Sequence, residues 1–206
     1  MITSSERKAF QSKRGKPPKA VLHLVVLCCT WVSALPSTCA QSGPKMVWNL
    51  LLISIDTLRA DHLGAYGYRS VTPNLDRLAG EGVLFEHVYT PVPLTLPAHA
   101  SLLTGRYPPA TGVHENGEVL PSSIPTLAGQ LRAKGFETAA FVGAFVLDRR
   151  FGLSRGFDEY WGEFPLYRFA GADPSTIQIR ADQVQTAAAQ WIASHASDRF
   201  FAFIHF

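Results

Sequence analysis

Trp48-Asn49-Leu50-Leu51-Leu52-Ile53-Ser54-Ile55-Asp56 is a near-continuous apolar run that stops on a carboxylate. Such a run, without the polar alternation of a half-exposed strand, reads as a strand buried on both faces of a parallel sheet. Downstream, Thr72-Pro73-Asn74-Leu75-Asp76-Arg77-Leu78-Ala79 offers a capping threonine, proline at the first helical position and apolar residues three apart, with Gly80 and Gly82 to close the helix. Residues 83–89 read as a second strand, broken by Pro91-Val92-Pro93, and 97–103 as a helix ended by Gly105. A helix over 124–134, a strand over 138–142, an irregular stretch over 148–173, a helix over 176–195 and a strand over 200–206 complete the series. Strands alternating with helices predict an α/β fold, a mainly parallel sheet flanked by helices.

Working back from Trp48, residues 41–47 read as a short linker and residues 1–40 as an export signal. Arg7, Lys8, Lys13, Arg14, Lys16 and Lys19 against Glu6 make a basic start, followed by an apolar run over 21–35 and by Ser37-Thr38-Cys39-Ala40, small residues suited to cleavage before Gln41. The other reading is an uncleaved anchor, but the run is shorter than the ~20 residues of a usual bilayer span. Pro36-Ser37-Thr38 make Cys39 a poor lipid-attachment site. With cleavage the protein keeps no stable membrane span, and its expected place is periplasmic or extracellular.

That segment also accounts for the charge and the cysteines. The chain of 206 residues carries a formal +3, of which +5 lies in the first twenty residues, leaving −2 for the rest. No dense Lys/Arg stripe remains to neutralise phosphates, so a nucleic-acid partner is not expected. Cys28, Cys29 and Cys39 all precede Gln41. Disulfides, cysteine zinc sites and a cysteine nucleophile are thereby excluded from the exported part, whose chemistry must come from oxygen and nitrogen groups. The 47% hydrophobic content suffices for a packed core. The last residues form an apolar strand with nothing after it to cover a sheet, which points to a fragment of a longer protein.

In open α/β sheets ligands bind beyond the carboxyl ends of the strands, and here Asp56 ends one strand while Thr95 follows another. A helix starting near Pro97 would turn free N–H groups and the positive end of its dipole toward Thr95, a setting for an anionic phosphate or sulfate. On these residues alone, a turn role for Asp56 and a helix cap for Thr95 remain open.

The stretch Asn49-Leu50-Leu51-Leu52-Ile53-Ser54-Ile55-Asp56-Thr57-Leu58-Arg59-Ala60-Asp61-His62-Leu63-Gly64-Ala65-Tyr66-Gly67, continued by Thr72-Pro73-Asn74-Leu75-Asp76, resembles the opening of the sulfatase family within the alkaline phosphatase superfamily. Thr95-Leu96-Pro97-Ala98-His99-Ala100-Ser101-Leu102-Leu103-Thr104-Gly105 resembles the family's Cys-x-Pro-x-Arg-x-Ser-x-x-Thr-Gly motif, and Arg155-Gly156-Phe157-Asp158 its Arg-Gly-Phe-Asp segment. The resemblance implies that 48–206 is the N-terminal portion of a sulfatase-like catalytic domain, truncated at its end. It implies an ester hydrolase acting on phosphate or sulfate esters of small molecules, glycans or lipids.

Departures from the family pattern redirect the chemistry. Thr95 and His99 stand where classical sulfatases have a Cys or Ser that becomes formylglycine and an Arg that aids conversion, so formylglycine is not expected. The paired Asp-Asp is Asp56-Thr57, and the Gly-Lys-x-His sulfate-binding segment is Gly143-Ala144-Phe145-Val146, without the lysine. A threonine nucleophile resembles the phosphodiesterase and nucleotide pyrophosphatase branch, which implies Thr95 as nucleophile and metal ligand, Asp56 as metal ligand, and a divalent metal: two zinc ions, with calcium or manganese as alternatives. Asn116 matches that branch's Asn on the transferred phosphoryl oxygen, against a plain surface turn at Glu115-Asn116-Gly117. His99 is a candidate substrate contact, with a supporting role on the helix as its alternative. Asp61 and His62 share that ambiguity, and His114 and His205 read as structural. Transfer of a phosphoglycerol or phosphoethanolamine group, or a binding module without catalysis, are the alternatives to hydrolysis.

Overall fold

Leu50–Ser54 (β1), Glu137–Val142 (β2), Glu159–Trp161 (β3) and Phe200–His205 (β4) make a sheet of order β1-β4-β2-β3, every pair parallel, in a computed structural model that describes residues 48–69, 72–165, 171, 173 and 176–206. The expected export signal and linker lie outside the described residues. The helices are α1 (Pro73–Glu81), α2 (Thr95–Thr104), α3 (Pro108–Thr111), α4 (Leu127–Arg132) and α5 (Ala181–Ser194), with short 3-10 turns between β1 and α1 and between β2 and β3. The expected α/β class and mainly parallel sheet are both present.

The strand that is buried throughout is β4, hydrogen-bonded on both sides and covered on both faces. Its alternation explains the two layers. Phe201 and Phe203 face Leu96, Ala100 and Leu103 of α2, while Phe200, Ala202 and Ile204 face Val184, Ala188 and Trp191 of α5. Each buried aromatic or aliphatic side chain of this kind contributes roughly 1.5–3 kcal/mol from area alone.

β1 differs from its expected burial. Leu50, Leu51 and Ile53 are 41%, 46% and 49% exposed, because among the described residues β1 pairs only with β4 and α5 packs on β2 and β4 instead. Only Leu52 joins the core, on the α2 side. Residues 83–89 form no strand: Val83, Phe85 and Val88 are 78%, 67% and 76% exposed, and their apolar alternation finds no ladder partner among the described residues. Conversely, the region expected to be irregular contains β3, whose Tyr160 enters the core beside Phe157.

Helix boundaries shift in instructive ways. α1 runs through Gly80 to Glu81, and Thr72 does not cap it; its hydroxyl accepts from Gly64 N and donates to Asp76 instead. α2 begins at Thr95 rather than Pro97 and ends at Gly105, left-handed at φ 67°. The Arg-Gly-Phe-Asp segment is a structural clasp. Arg155 donates to the carbonyls of Leu120, Pro121 and Ile124, and Asp158 accepts from Thr138 N and Oγ1 while pairing with Arg132. Gly156 sits at φ +89° against Gly129, where any Cβ would overlap the Gly129 backbone.

Candidate active site

The carboxyl ends of β1 and β4 meet the start of α2. The ladder continues past the strands, with Phe206 N donating to Ser54 O and Asp56 N to Phe206 O, each at 2.9 Å, so Asp56 is fixed just beyond the sheet. Thr95, at the first position of α2 after Leu94, donates its hydroxyl to Asp56 Oδ2 at 3.0 Å. The hydroxyl therefore does not cap its helix. Both groups are half-buried and face an open cleft of ≈ 460 Å³.

The residue after Asp56 is held in an uncommon backbone shape. Thr57, where the family has its second aspartate, lies at φ 55°, the left-handed region that costs a side-chain-bearing residue roughly 1–2 kcal/mol. Strain of this kind is found at sites where the surrounding structure over-determines the backbone, here the β1–β4 ladder on one side and the turn after Thr57 on the other.

Asn116 arrives from a different direction. Glu118 Oε2 accepts from His114 N and Glu115 N, closing a turn that projects Asn116 toward α2, where its Oδ1 accepts from Leu96 N at 3.0 Å. Since a backbone N–H can only donate, the amide oxygen must face Leu96, which leaves both Nδ2 hydrogens of this exposed side chain as donors near the start of α2. The start of α2 is correspondingly poor in free donors: Leu96 N is taken, Pro97 has none, and Ala98 N donates to Leu94 O. The expectation of several open N–H groups at the start of α2 is corrected accordingly.

His99, a candidate substrate contact with a supporting role as its alternative, lines the cleft, is 6% exposed and has both ring nitrogens engaged inside the protein. Nδ1 lies 2.7 Å from Thr95 O and Nε2 2.8 Å from Ser54 Oγ. A carbonyl only accepts, so Nδ1 carries the proton and Ser54 donates to Nε2. Burial lowers the His99 pKa, opposed by its bond to Thr95 O and by the charge of Asp56, and keeps this neutral tautomer in place. His99 thus ties the backbone of Thr95 to the end of β1.

Sequence reasoning missed Ser54, which lies within the apolar run, and treated His205 as structural. His205 is 1% exposed; neither ring nitrogen has a hydrogen-bond partner, and Nε2 is 3.7 Å from Asp56 Oδ2. Burial first, and then the neighbouring His99, push its pKa down to about 4, so it is neutral near pH 7. Asp61 and His62 lie apart from these groups in their contacts, Asp61 paired with Arg59 and His62 against Tyr68. The stretch at Gly143 is apolar and buried through Ala144, Phe145 and Val146, with no cation in it. Among the described residues no three His, Cys, Asp or Glu side chains gather around one point.

The arrangement therefore combines an alcohol on a carboxylate, an amide with spare donors and a neutral imidazole. The family model described as Sulfatase matches residues 48–206. Steryl-sulfatase of Mus musculus is 42% identical over 137 residues, covering 60% of this chain and 22% of that protein. The ulvan-active sulfatase of Formosa agariphila is 40% identical over 154 residues, covering 71% and 29% respectively. Among solved structures, phosphonate monoester hydrolase of Agrobacterium radiobacter superposes with a TM-score of 0.58 at 27% identity, over 77% of this chain and 40% of that one. The chain spans 22% to 29% of the length of these two curated relatives. With the family model matching most of its residues and the parallel sheet in place, the chain belongs to the sulfatase family.

Proposed function

We propose that the protein is an exported, metal-dependent ester hydrolase that attacks phosphate esters with the Thr95 hydroxyl. The observation that carries this reading is the 3.0 Å hydrogen bond from Thr95 Oγ1 to Asp56 Oδ2 at the mouth of an open cleft. A capping threonine would turn its oxygen to a backbone N–H of its own helix, and this one does not.

A free threonine hydroxyl is scarcely ionised near neutrality and needs activation. Asp56 and Thr95 fit a divalent cation by their chemistry, a hard carboxylate and a hydroxyl sharing one locus, with the unpartnered His205 imidazole beside them. A bound divalent metal, zinc foremost, would supply positive charge that lowers the pKa of the attacking oxygen. Thr95 Oγ, giving up its proton along its hydrogen bond to Asp56, forms a bond to phosphorus as the bond to the leaving group breaks, and the leaving oxygen takes up a proton to depart as the alcohol. Asn116 Nδ2 donates to the non-bridging oxygens, where charge builds. His99 keeps the Thr95 backbone still through its Nδ1–H. Water then splits the threonine ester and restores the hydroxyl.

Phosphate ranks ahead of sulfate because Thr95 lacks the Cys or Ser side chain that becomes formylglycine, and because Gly143-Ala144-Phe145-Val146 brings no lysine. The names of the curated relatives favour sulfate esters, which makes sulfate hydrolysis the second reading. The basic start and apolar run before Gln41 support export. The test is turnover of paired aryl phosphate and aryl sulfate substrates with zinc and after chelation. Faster cleavage of the phosphate, lost on chelation, is expected; faster cleavage of the sulfate, or indifference to chelation, contradicts the reading.

A further inference from the structure

His205 ends β4, with Ser54 of β1 in register on one side and Val142 of β2 on the other. By the alternation of β4 its ring shares the face of Phe201 and Phe203, under α2, at the end of the sheet where ligands collect. It is 1% exposed, and both ring nitrogens are shut off from solvent without a hydrogen bond. An uncompensated polar group in such a place is costly and calls for a role.

Its surroundings narrow that role. His99 lies edge-on with ring centroids 4.8 Å apart, but its two nitrogens are committed to Thr95 and Ser54, so it has neither donor nor lone pair to spare. The charged neighbour is Asp56, whose Oδ2 is 3.7 Å from His205 Nε2. That separation is too long for a hydrogen bond. Two ligand atoms bound to one tetrahedral ion at ~2.1 Å each lie about 3.4 Å apart. The 3.7 Å from His205 to Asp56 and the 3.0 Å from Thr95 to the same carboxylate oxygen stand on either side of this spacing.

We propose that His205 is a direct nitrogen ligand to the divalent cation held by Asp56 and Thr95. This rests on the reading above that the site takes such a cation. His205 then gives the site a third protein donor from the central strand, and its buried nitrogen is satisfied only when the cation is present.

The consequence is an opposition between stability and binding that a structural histidine would not produce. In metal-free protein, His205→Phe removes two unpartnered buried nitrogens while filling the same space, so its melting temperature should equal or exceed that of metal-free wild type. Cobalt(II) added to the stripped protein should bind the variant more than about 100-fold more weakly, beyond the loss expected from a residue that only orients a ligand. His205→Gln, which keeps a polar side chain, serves as a second variant, and its visible cobalt bands at saturation should differ from wild type through loss of a nitrogen ligand. Unchanged cobalt bands in both variants, or cobalt affinity equal to wild type, would overturn the assignment while leaving the metal reading intact. Wild-type protein that binds no cobalt, zinc or manganese would overturn both.

Discussion

Thr95 donates its hydroxyl to Asp56 across 3.0 Å, although 39 positions separate the two residues. The contact exists because β1 delivers Asp56 to the end of the sheet and α2 begins at Thr95 instead of two residues later. His99, one turn further along α2, anchors the Thr95 carbonyl, and Ser54 anchors His99 in turn. The site is thus braced from both sides by residues of the cleft wall whose polar atoms are taken up within the protein.

Asn116 has two separable duties, since its oxygen supports Leu96 N while its amide nitrogen is free. Asn116→Ala should lower kcat by on the order of 100-fold through loss of the donor and cost about 1 kcal/mol through the orphaned N–H. Asn116→Asp keeps the acceptor and loses the donor, so its stability should recover while kcat stays low. Denaturation curves and steady-state kinetics on both variants decide it; wild-type kcat in Asn116→Asp would remove Asn116 from substrate binding.

Tyr160 fixes the β3 end of the sheet by donating to Leu147 O at 2.6 Å. Burial, reinforced by Asp148, holds its phenol well above the ordinary tyrosine range. In the unfolded chain it ionises near pH 10, so above that pH the unfolded state has lost a proton that the folded state retains. The stabilisation is therefore complete below about pH 10 and declines as pH rises. Tyr160→Phe should be less stable than wild type at neutral pH by roughly 1–2 kcal/mol, because the Leu147 carbonyl loses its donor. The gap should narrow between about pH 9.5 and 11 in urea denaturation. Curves that stay parallel over that range would contradict the account.

How legible the site was in the sequence differs from residue to residue. The apolar run to Asp56, the helix stops at Gly82 and Gly105, and the β4 run all follow from local pattern, and the parallel sheet follows from their alternation. The β1 run predicts full burial, yet an apolar sequence records only what a strand can cover, not which neighbours it has, and β1 has one neighbour among the described residues. Residues 83–89 mislead for the same reason. Ser54 and His205 were illegible because their meaning comes from being paired in register across β1 and β4, which no local spacing encodes. His99 was visible as a candidate, but its tautomer depends on the carbonyl and hydroxyl it meets in the fold.

The central claim is that Thr95 supplies the attacking oxygen, and substitution at that one atom tests it most directly. Turnover of an aryl phosphodiester by zinc-loaded protein should fall by about three orders of magnitude or more in Thr95→Ala, with ~1 kcal/mol or less lost in stability. Thr95→Ser, which keeps the oxygen, should retain much of the activity. Thr95→Ala that turns over substrate at the wild-type rate would contradict the account.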